Sequence, residues 1–483
     1  MSVASSAVEL PLILGLVILS VFSLNLITLT LARLFAPEQA PRSPCGAGAG
    51  DTPDILVQLP LYNEGLLVER VLRAVAALDW PRDRLLVQVL DDSTDGSLAL
   101  TRATVEHWRA EGLRVELLHR TRRTAYKAGA LAAGLEHSDA PLVAIFDVDF
   151  VPPPDFLRRT VPLLLTEPRL ALVQARWAHL NADESTLTRV QARLLDGYFG
   201  VEQVARARWG LPVPFNGTCG LWRRDAIDDA GGWQGDTLTE DLDLSLRAHL
   251  RGWRAAFLPE LHVPGSLPSS ARAWRVQQFR WTKGFVQCFR KLVRPVWASP
   301  YLQWWQKLAV TLQLSQPLAF LVGLLCLLLG LPFIAVEATA GPLLTAVAVS
   351  ASMLGFIGTV GFLAASVRLP MRGRHVGEIL AALVLTSGLL LSNARGAFEA
   401  LAGHQSEFVR TPKTIEANDR LPVRDRMPYG LLELSAGIGL LGFGIAEDPA
   451  TVPFLAIVIG GLVVFGTMQM LDGRRIVLAQ TSH

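Results

Sequence analysis

Apolar residues gather at the two ends of the chain and thin out in its middle. Leu10–Ala32 is an uncharged run, longer than the ~20 residues that a spanning helix needs. A cleaved signal peptide fits it less well, because no basic residue precedes it and the apolar part is too long. Five more runs follow, at Leu308–Val336, Pro342–Val367, Ile379–Ser392, Gly430–Ala446 and Pro453–Leu471. Between the first run and the others, Asp51–Pro295 has the mixed pattern of a soluble domain.

Within that middle the period changes repeatedly. Asp54–Glu64, Arg84–Asp92, Leu113–His119 and Pro141–Phe150 read as strands, each short and rich in Val, Leu or Ile. Leu66–Leu78, Ser97–Arg109 and Lys127–His137 carry helical spacing between them. Strand and helix in alternation predict an α/β domain with a parallel sheet covered on both faces. Ligands in such folds bind beyond the carboxyl ends of the strands.

The expected organisation is a transmembrane helix at 8–34, a flexible linker at 36–52 and a catalytic-type domain at 53–268. An amphipathic interfacial helix at 269–300, membrane helices with an interfacial helix at 306–402, a loop at 403–428 and two last spans at 429–473 follow. Composition agrees: 51% of the 483 residues are hydrophobic, and the mean hydropathy is positive. Charge is balanced at formal +2, which gives a nucleic-acid partner no electrostatic support. Four scattered cysteines without a CxxC or metal-type spacing fit a reducing compartment.

Basic residues fall in Val367–His375, in Arg410–Arg426 and at Arg474 and Arg475, whereas the links around Glu337 and Glu447–Asp448 hold none. Because basic short loops mark the cytoplasmic side, the middle domain is expected there, at a cell (inner) membrane. The segment 376–400 then suits an interfacial or re-entrant helix, with Glu378, Asn393, Arg395 and Glu399 reaching water near its ends. An ordinary sixth span with inverted loops is the alternative.

Candidate chemistry sits at the predicted ligand edge. Asp147 and Asp149 leave a strand one residue apart, which on an extended backbone puts both carboxylates on one face. Two such groups repel unless a cation lies between them. A hard ion such as Mg²⁺ or Mn²⁺ takes one or two carboxylates plus substrate phosphates. A solvated turn explains the pair equally well. Asp91 and Asp92 end the neighbouring strand, where they suit a nucleoside or a capped turn. Lys127 opens a helix, where its ammonium and the helix N-terminus both favour phosphate. Thr239-Glu240-Asp241 opens another helix, with Thr239 as N-cap; the helix dipole alone accounts for the acids, and a base at Asp241 is the functional reading. Gln277–Trp281 lies on an amphipathic stretch, so Arg280 and Trp281 suit a diphosphate and a sugar ring, or simply a membrane surface.

Taken in order, Asp91-Asp92, Asp147-x-Asp149, Thr239-Glu240-Asp241 and Gln277-x-x-Arg280-Trp281 resemble the family 2 glycosyltransferases that make β-linked polysaccharides, cellulose, hyaluronan and mannan synthases among them. Val173–Asn181, Phe215–Ile227, Ala230–Trp233 and Arg247–Trp253 look closest to the plant cellulose-synthase-like mannan and glucan synthases, and Glu407–Lys413 looks like the gating loop of cellulose synthases. The sequence departs from the plant pattern at Phe279, where those enzymes usually carry His, and in Thr282-Lys283-Gly284.

The resemblance implies a GT-A type, Rossmann-like domain inserted in an α-helical transmembrane bundle. It implies that Tyr62, Glu64, Asp91 and Asp92 hold the nucleoside, and that Lys127, Gln277 and Arg280 contact the diphosphate. Asp149 would take the metal, with Asp147 beside it; Asp241 would be the base; Trp281, Phe215, Asn216, Gly217 and Glu240 would meet the acceptor glycan. The expected reaction is inverting transfer of a hexose from UDP-glucose or GDP-mannose to a growing polymer that crosses the lipid bilayer. A glycolipid synthase is the alternative, separated from it by product length. A transporter with a nucleotide-binding domain is disfavoured, because no GxxxxGK[ST] loop is present.

Overall fold

A computed structural model of the chain describes residues 3–35, 52–335, 341–367, 371–406, 429–447 and 449–481. The linker sequence around Cys45–Gly50 and the gating-like Glu407–Lys413 lie outside the described residues.

Helix α1 (Val3–Phe35) precedes a domain that alternates as its sequence predicts. The order is β1 (Ile55–Leu61), α2 (Gly65–Ala76), β2 (Leu85–Asp91), α3 (Ser97–Ala110), β3 (Val115–His119), α4 (Tyr126–Leu135), β4 (Leu142–Ile145) and α5 (Phe156–Thr166). Then come β5 (Leu170–His179), α6 (Thr186–Gly197), a π-helical turn at Tyr198–Gln203, α7 (Val204–Arg208), β6 (Gly220–Arg223), α8 (Arg224–Asp229), α9 (Glu240–Leu250) and β7 (Arg254–Gly265).

Seven strands form one sheet in the order β3-β2-β1-β4-β6-β5-β7. Every residue of β1 is buried, as expected of a central strand with helices on both faces. One correction to the parallel expectation is needed. β6 runs antiparallel to both β4 and β5, so the sheet is mixed. The chain leaves the carboxyl end of β5, passes through α6 and α7 and re-enters at that same edge, with Gly220 paired to Ile145 at the end of β4, so β6 runs back against its neighbours.

The amphipathic stretch is one helix, α10 (Ala271–Ala298). Its N-cap Ser270 accepts from Ala273 N. Beyond it lie α11 (Trp304–Ser315), α12 (Leu318–Ala335), α13 (Pro342–Ala365), α14 (Gly373–Ser387), α15 (Leu390–Leu401), α16 (Tyr429–Glu447) and α17 (Val452–Thr481). Among the described residues, α1, α13, α16 and α17 contain stretches long and apolar enough to cross a membrane, and the total rises to six if each bent pair counts as one span.

Two apolar runs that read as continuous are broken. α11 and α12 meet at 61°, at Pro317, which has no N–H to give to the preceding turn. α14 and α15 meet at 53°. There Gly388 packs on α17 so tightly that a Cβ would lie 2.4 Å from Phe465 Cβ and 2.6 Å from Gly461 O.

Candidate active site

β4 stops at Ile145, and the chain then turns, with Phe150 N donating to Asp147 O at 3.0 Å. The two carboxylates are therefore not brought together by an extended backbone; the turn does it. Asp147 and Asp149 still line one cavity of about 420 Å³. Asp147 accepts from Lys127 Nζ at 2.5 Å, and Lys127 also donates to Gly217 O at 2.8 Å. Asp149 is only 4% exposed.

Lys127 lies in the first turn of α4. Burial opposes its charge, but Asp147, Glu240 and Asp241 outweigh that and hold its pKa above the ordinary lysine value. Gly217 has φ +82°, and a Cβ there would stand 2.9 Å from Asp241 Oδ2. Only glycine gives this backbone without strain while leaving space for the carboxylate.

Glu240 and Asp241 open α9 and face the same cavity. Thr239 occupies the N-cap position as expected, but its side chain makes no capping hydrogen bond; its hydroxyl lies 3.4 Å from Cys288 Sγ instead. Burial, then repulsion from Glu240, pushes the Asp241 carboxyl up to about 7. Burial likewise raises Glu240, against the pull of Lys127 and Arg280. Arg280 is lowered by burial, while Glu240, Asp241 and Asp147 favour its charge. Acids and cations thus share one enclosed space, where charge interactions are stronger than in water.

From α10 the cavity receives Gln277, Gln278, Arg280 and Trp281. The helix that could have been a plain membrane-surface element instead turns this face inward. From the β1 and β2 ends it receives Tyr62, Glu64 and Asp92. Asp91 behaves differently. Its carboxylate is fully buried, accepts from Ser93 N at 2.7 Å and does not line the cavity. Of the two acids expected at a nucleoside, the structure brings Asp92 to the cavity and places Asp91 behind it, where it ties the turn. Phe215, Asn216 and Gly217 all border it, Phe215 packing edge-on against Trp222 and Asn216 accepting from the Tyr198 hydroxyl at 2.8 Å.

Several residues at or behind the cavity wall escaped the sequence reading. Arg120, behind the wall, grips Asp92 through Nε at 2.8 Å and a second nitrogen at 2.5 Å, and the Arg123 guanidinium, on the wall, lies 3.6 Å over the Tyr62 ring. Both stand in the basic run that leads to Lys127, which was a usable signal. Trp177 and His179 end β5, and Tyr198 sits on the π-helical turn; such turns are often functional, but nothing in local sequence announces one. The cavity runs on to Thr386 and Leu389 at the α14–α15 bend.

The donor set fits a hard divalent ion. Among the described residues no group of three or more His, Cys, Asp or Glu side chains could hold a metal alone. Two carboxylates on one cavity are what such an ion takes when phosphate oxygens complete its shell.

A mixed sheet with carboxylates beyond its strand ends, a lysine at a helix start and an acid pair facing an arginine make up a fold of the GT-A type. Residues 53–284 match the family described as "Glycosyltransferase like family 2". Glucomannan 4-beta-mannosyltransferase 2 of Arabidopsis thaliana is 44% identical over 267 residues, 54% of this chain and 50% of that protein. Glucomannan 4-beta-mannosyltransferase 1 of Oryza sativa subsp. japonica is 43% identical over 267 residues, 54% and 51% of the two chains. The aligned region thus spans about half the length of these relatives. In fold, the domain resembles the mannosyltransferase PcManGT from Pyrobaculum calidifontis, solved in complex with GDP-Man and Mn²⁺. The TM-score is 0.55 at 23% identity, over 80% of this chain and 99% of that one.

Proposed function

We propose that the protein is a membrane β-mannan synthase, an inverting hexosyltransferase that extends a β-linked polysaccharide from GDP-mannose. The observation that carries this is the single cavity in which Asp147, Asp149, Lys127, Asp241 and Arg280 converge and which continues to the bundle at Thr386 and Leu389. The plant relatives are named as glucomannan mannosyltransferases, which favours mannose over glucose as the sugar.

Tyr62, Glu64 and Asp92 hold the nucleoside in this reading. Asp149 and Asp147 would hold Mg²⁺ or Mn²⁺, which supplies charge stabilisation to the diphosphate when bound. Lys127 and Arg280 place two cations where the departing diphosphate gathers negative charge. Asp241, ionised, takes the proton from the acceptor hydroxyl as that oxygen attacks the anomeric carbon. The bond from that carbon to the diphosphate breaks in the same step, so the configuration inverts. Trp281 and Phe215 offer flat faces to the acceptor sugars, with Asn216, Gly217 and Glu240 at its polar edge. A cytoplasmic cavity opening into the bundle gives the growing chain a way across the bilayer. A glycolipid product is less favoured, since the named relatives act on a polysaccharide.

The test is a donor panel on the purified protein in membranes, with sizing of the product. Label from GDP-mannose should enter long material that β-mannanase releases. Use of UDP-glucose alone, or a product that stays lipid-sized, overturns the reading.

A further inference from the structure

The inward face of α10 does not end at Trp281. Gln277, Arg280 and Trp281 line the cavity, and at ~100° per residue the same stripe continues through Gly284, Gln287, Cys288 and Lys291. Each of these four touches the start of α9 or the segment leading into it. A Cβ on Gly284 would lie 2.5 Å from Thr239 Cγ2 and 2.7 Å from Thr239 Oγ1. Gln287 Oε1 accepts from Leu238 N at 2.8 Å, and Cys288 Sγ lies 3.4 Å from the Thr239 hydroxyl. Lys291 Nζ stands 2.8 Å from Gln234 Oε1, Asp236 Oδ1 and Asp243 Oδ1.

Asp243 is the third acid in the first turn of α9, and unlike Glu240 and Asp241 it turns away from the cavity. It is fully buried and held between Lys291 and Arg247, whose Nε lies 2.8 Å from its other oxygen. Arg247 in turn donates to Gly232 O at 2.9 Å, fixing the loop before α9.

We propose that this stripe is a gauge: it fixes how far Asp241 stands from Arg280 and Trp281, with Gly284 and Lys291 as positioning residues. One rigid helix carries the diphosphate-side groups in its first half and docks the base-bearing helix along the stretch from Gly284 to Lys291 that follows. No loop intervenes between the two sets, so their spacing is set by helix geometry alone. Gly284 sets the depth of contact, because any side chain there pushes against Thr239. Lys291, through Asp243, sets the rotation of α9 that aims Asp241 inward. The inference rests on the transfer reaction proposed above, in which Asp241 and Arg280 act on one substrate.

Gly284→Ala in the full chain should lower kcat by about a hundredfold, the scale of a 1 Å misplacement, with donor Kd by calorimetry unchanged. Gly284→Ala combined with Thr239→Ala, which deletes both the clashing methyl and the clashing hydroxyl, should recover most of the loss. Lys291→Met should lower kcat at constant donor Kd, and Lys291→Arg should restore it. The Lys291 pair decides the matter if the Gly284 variant does not fold. Unchanged kcat in Lys291→Met, parallel loss of kcat and donor affinity, or no recovery in the double variant overturns the proposal. Should the wild-type protein transfer no sugar from any donor, the functional reading fails. The gauge is then judged by whether the structure of Gly284→Ala shows the start of α9 moved off α10, and an unmoved α9 overturns it.

Discussion

Lys127 Nζ and Asp147 Oδ1 meet at 2.5 Å, joining a residue of the first turn of α4 to the turn that follows β4. Without a ligand the ammonium neutralises the carboxylate; with a diphosphate present, the same ammonium has a second anion to serve. Lys127→Met should weaken the nucleotide sugar by roughly 10- to 100-fold, the range of one charge-assisted hydrogen bond, while the bare nucleoside binds as before. Calorimetry with both ligands checks this. An equal loss for both would move Lys127 from the diphosphate to the base or ribose.

Asp241 gives a pH signature. A base works only when ionised, and its carboxyl is pushed up to about 7 in the ligand-free site. The ionised fraction therefore grows as pH rises, and kcat/KM, which reports the free enzyme, should climb through that region and level off above it. Asp241→Asn should remove this limb and cut transfer by ~10²–10⁴-fold with donor affinity nearly intact. A variant that keeps a substantial rate places the base elsewhere.

Metal dependence should track Asp149. Asp149→Ala is expected to abolish the part of donor affinity that appears when Mn²⁺ is added, leaving the metal-free part in place. Titrations with and without the ion, on the same preparation, separate the two. Identical Mn²⁺-dependent affinity in the variant rejects the carboxylate as a ligand.

Asp91 and Asp92 should part company. Asp91→Ala removes the acceptor of Ser93 N and should cost about 1 kcal/mol of stability, read as a lower Tm, with a smaller effect on donor affinity. Asp92→Ala should do the reverse, since it empties a cavity position and releases Arg120. A strong affinity loss confined to Asp91→Ala would return that residue to the ligand.

Alternating strand and helix, the apolar runs and the four acidic and aromatic motifs were all legible in the chain. These are local properties: period, propensity and residue type need no long-range contact to be read. The turn at Asp147–Phe150 was not, because the strand signal runs on to Phe150 while the strand ends at Ile145 and the chain turns back on itself at Asp147. Nor could period alone show that Asp91 turns toward the chain's own backbone and Asp92 toward the cavity, as one residue of register decides it.

The sequence by itself determined where acidic, basic and aromatic side chains stand along the chain and that an α/β unit lies between long apolar helices. Only the tertiary structure decided which of them meet. The antiparallel β6 brings Gly217 under Lys127 and Asp241, and Gly284 lets α10 approach Thr239 closely enough to set Arg280 beside Glu240 and Asp241. The broken helix pairs belong to the same class. A bend at Pro317 is written locally, but the one at Gly388 depends on Phe465 and Gly461, and a contact between residues that far apart in the chain has no period to reveal it.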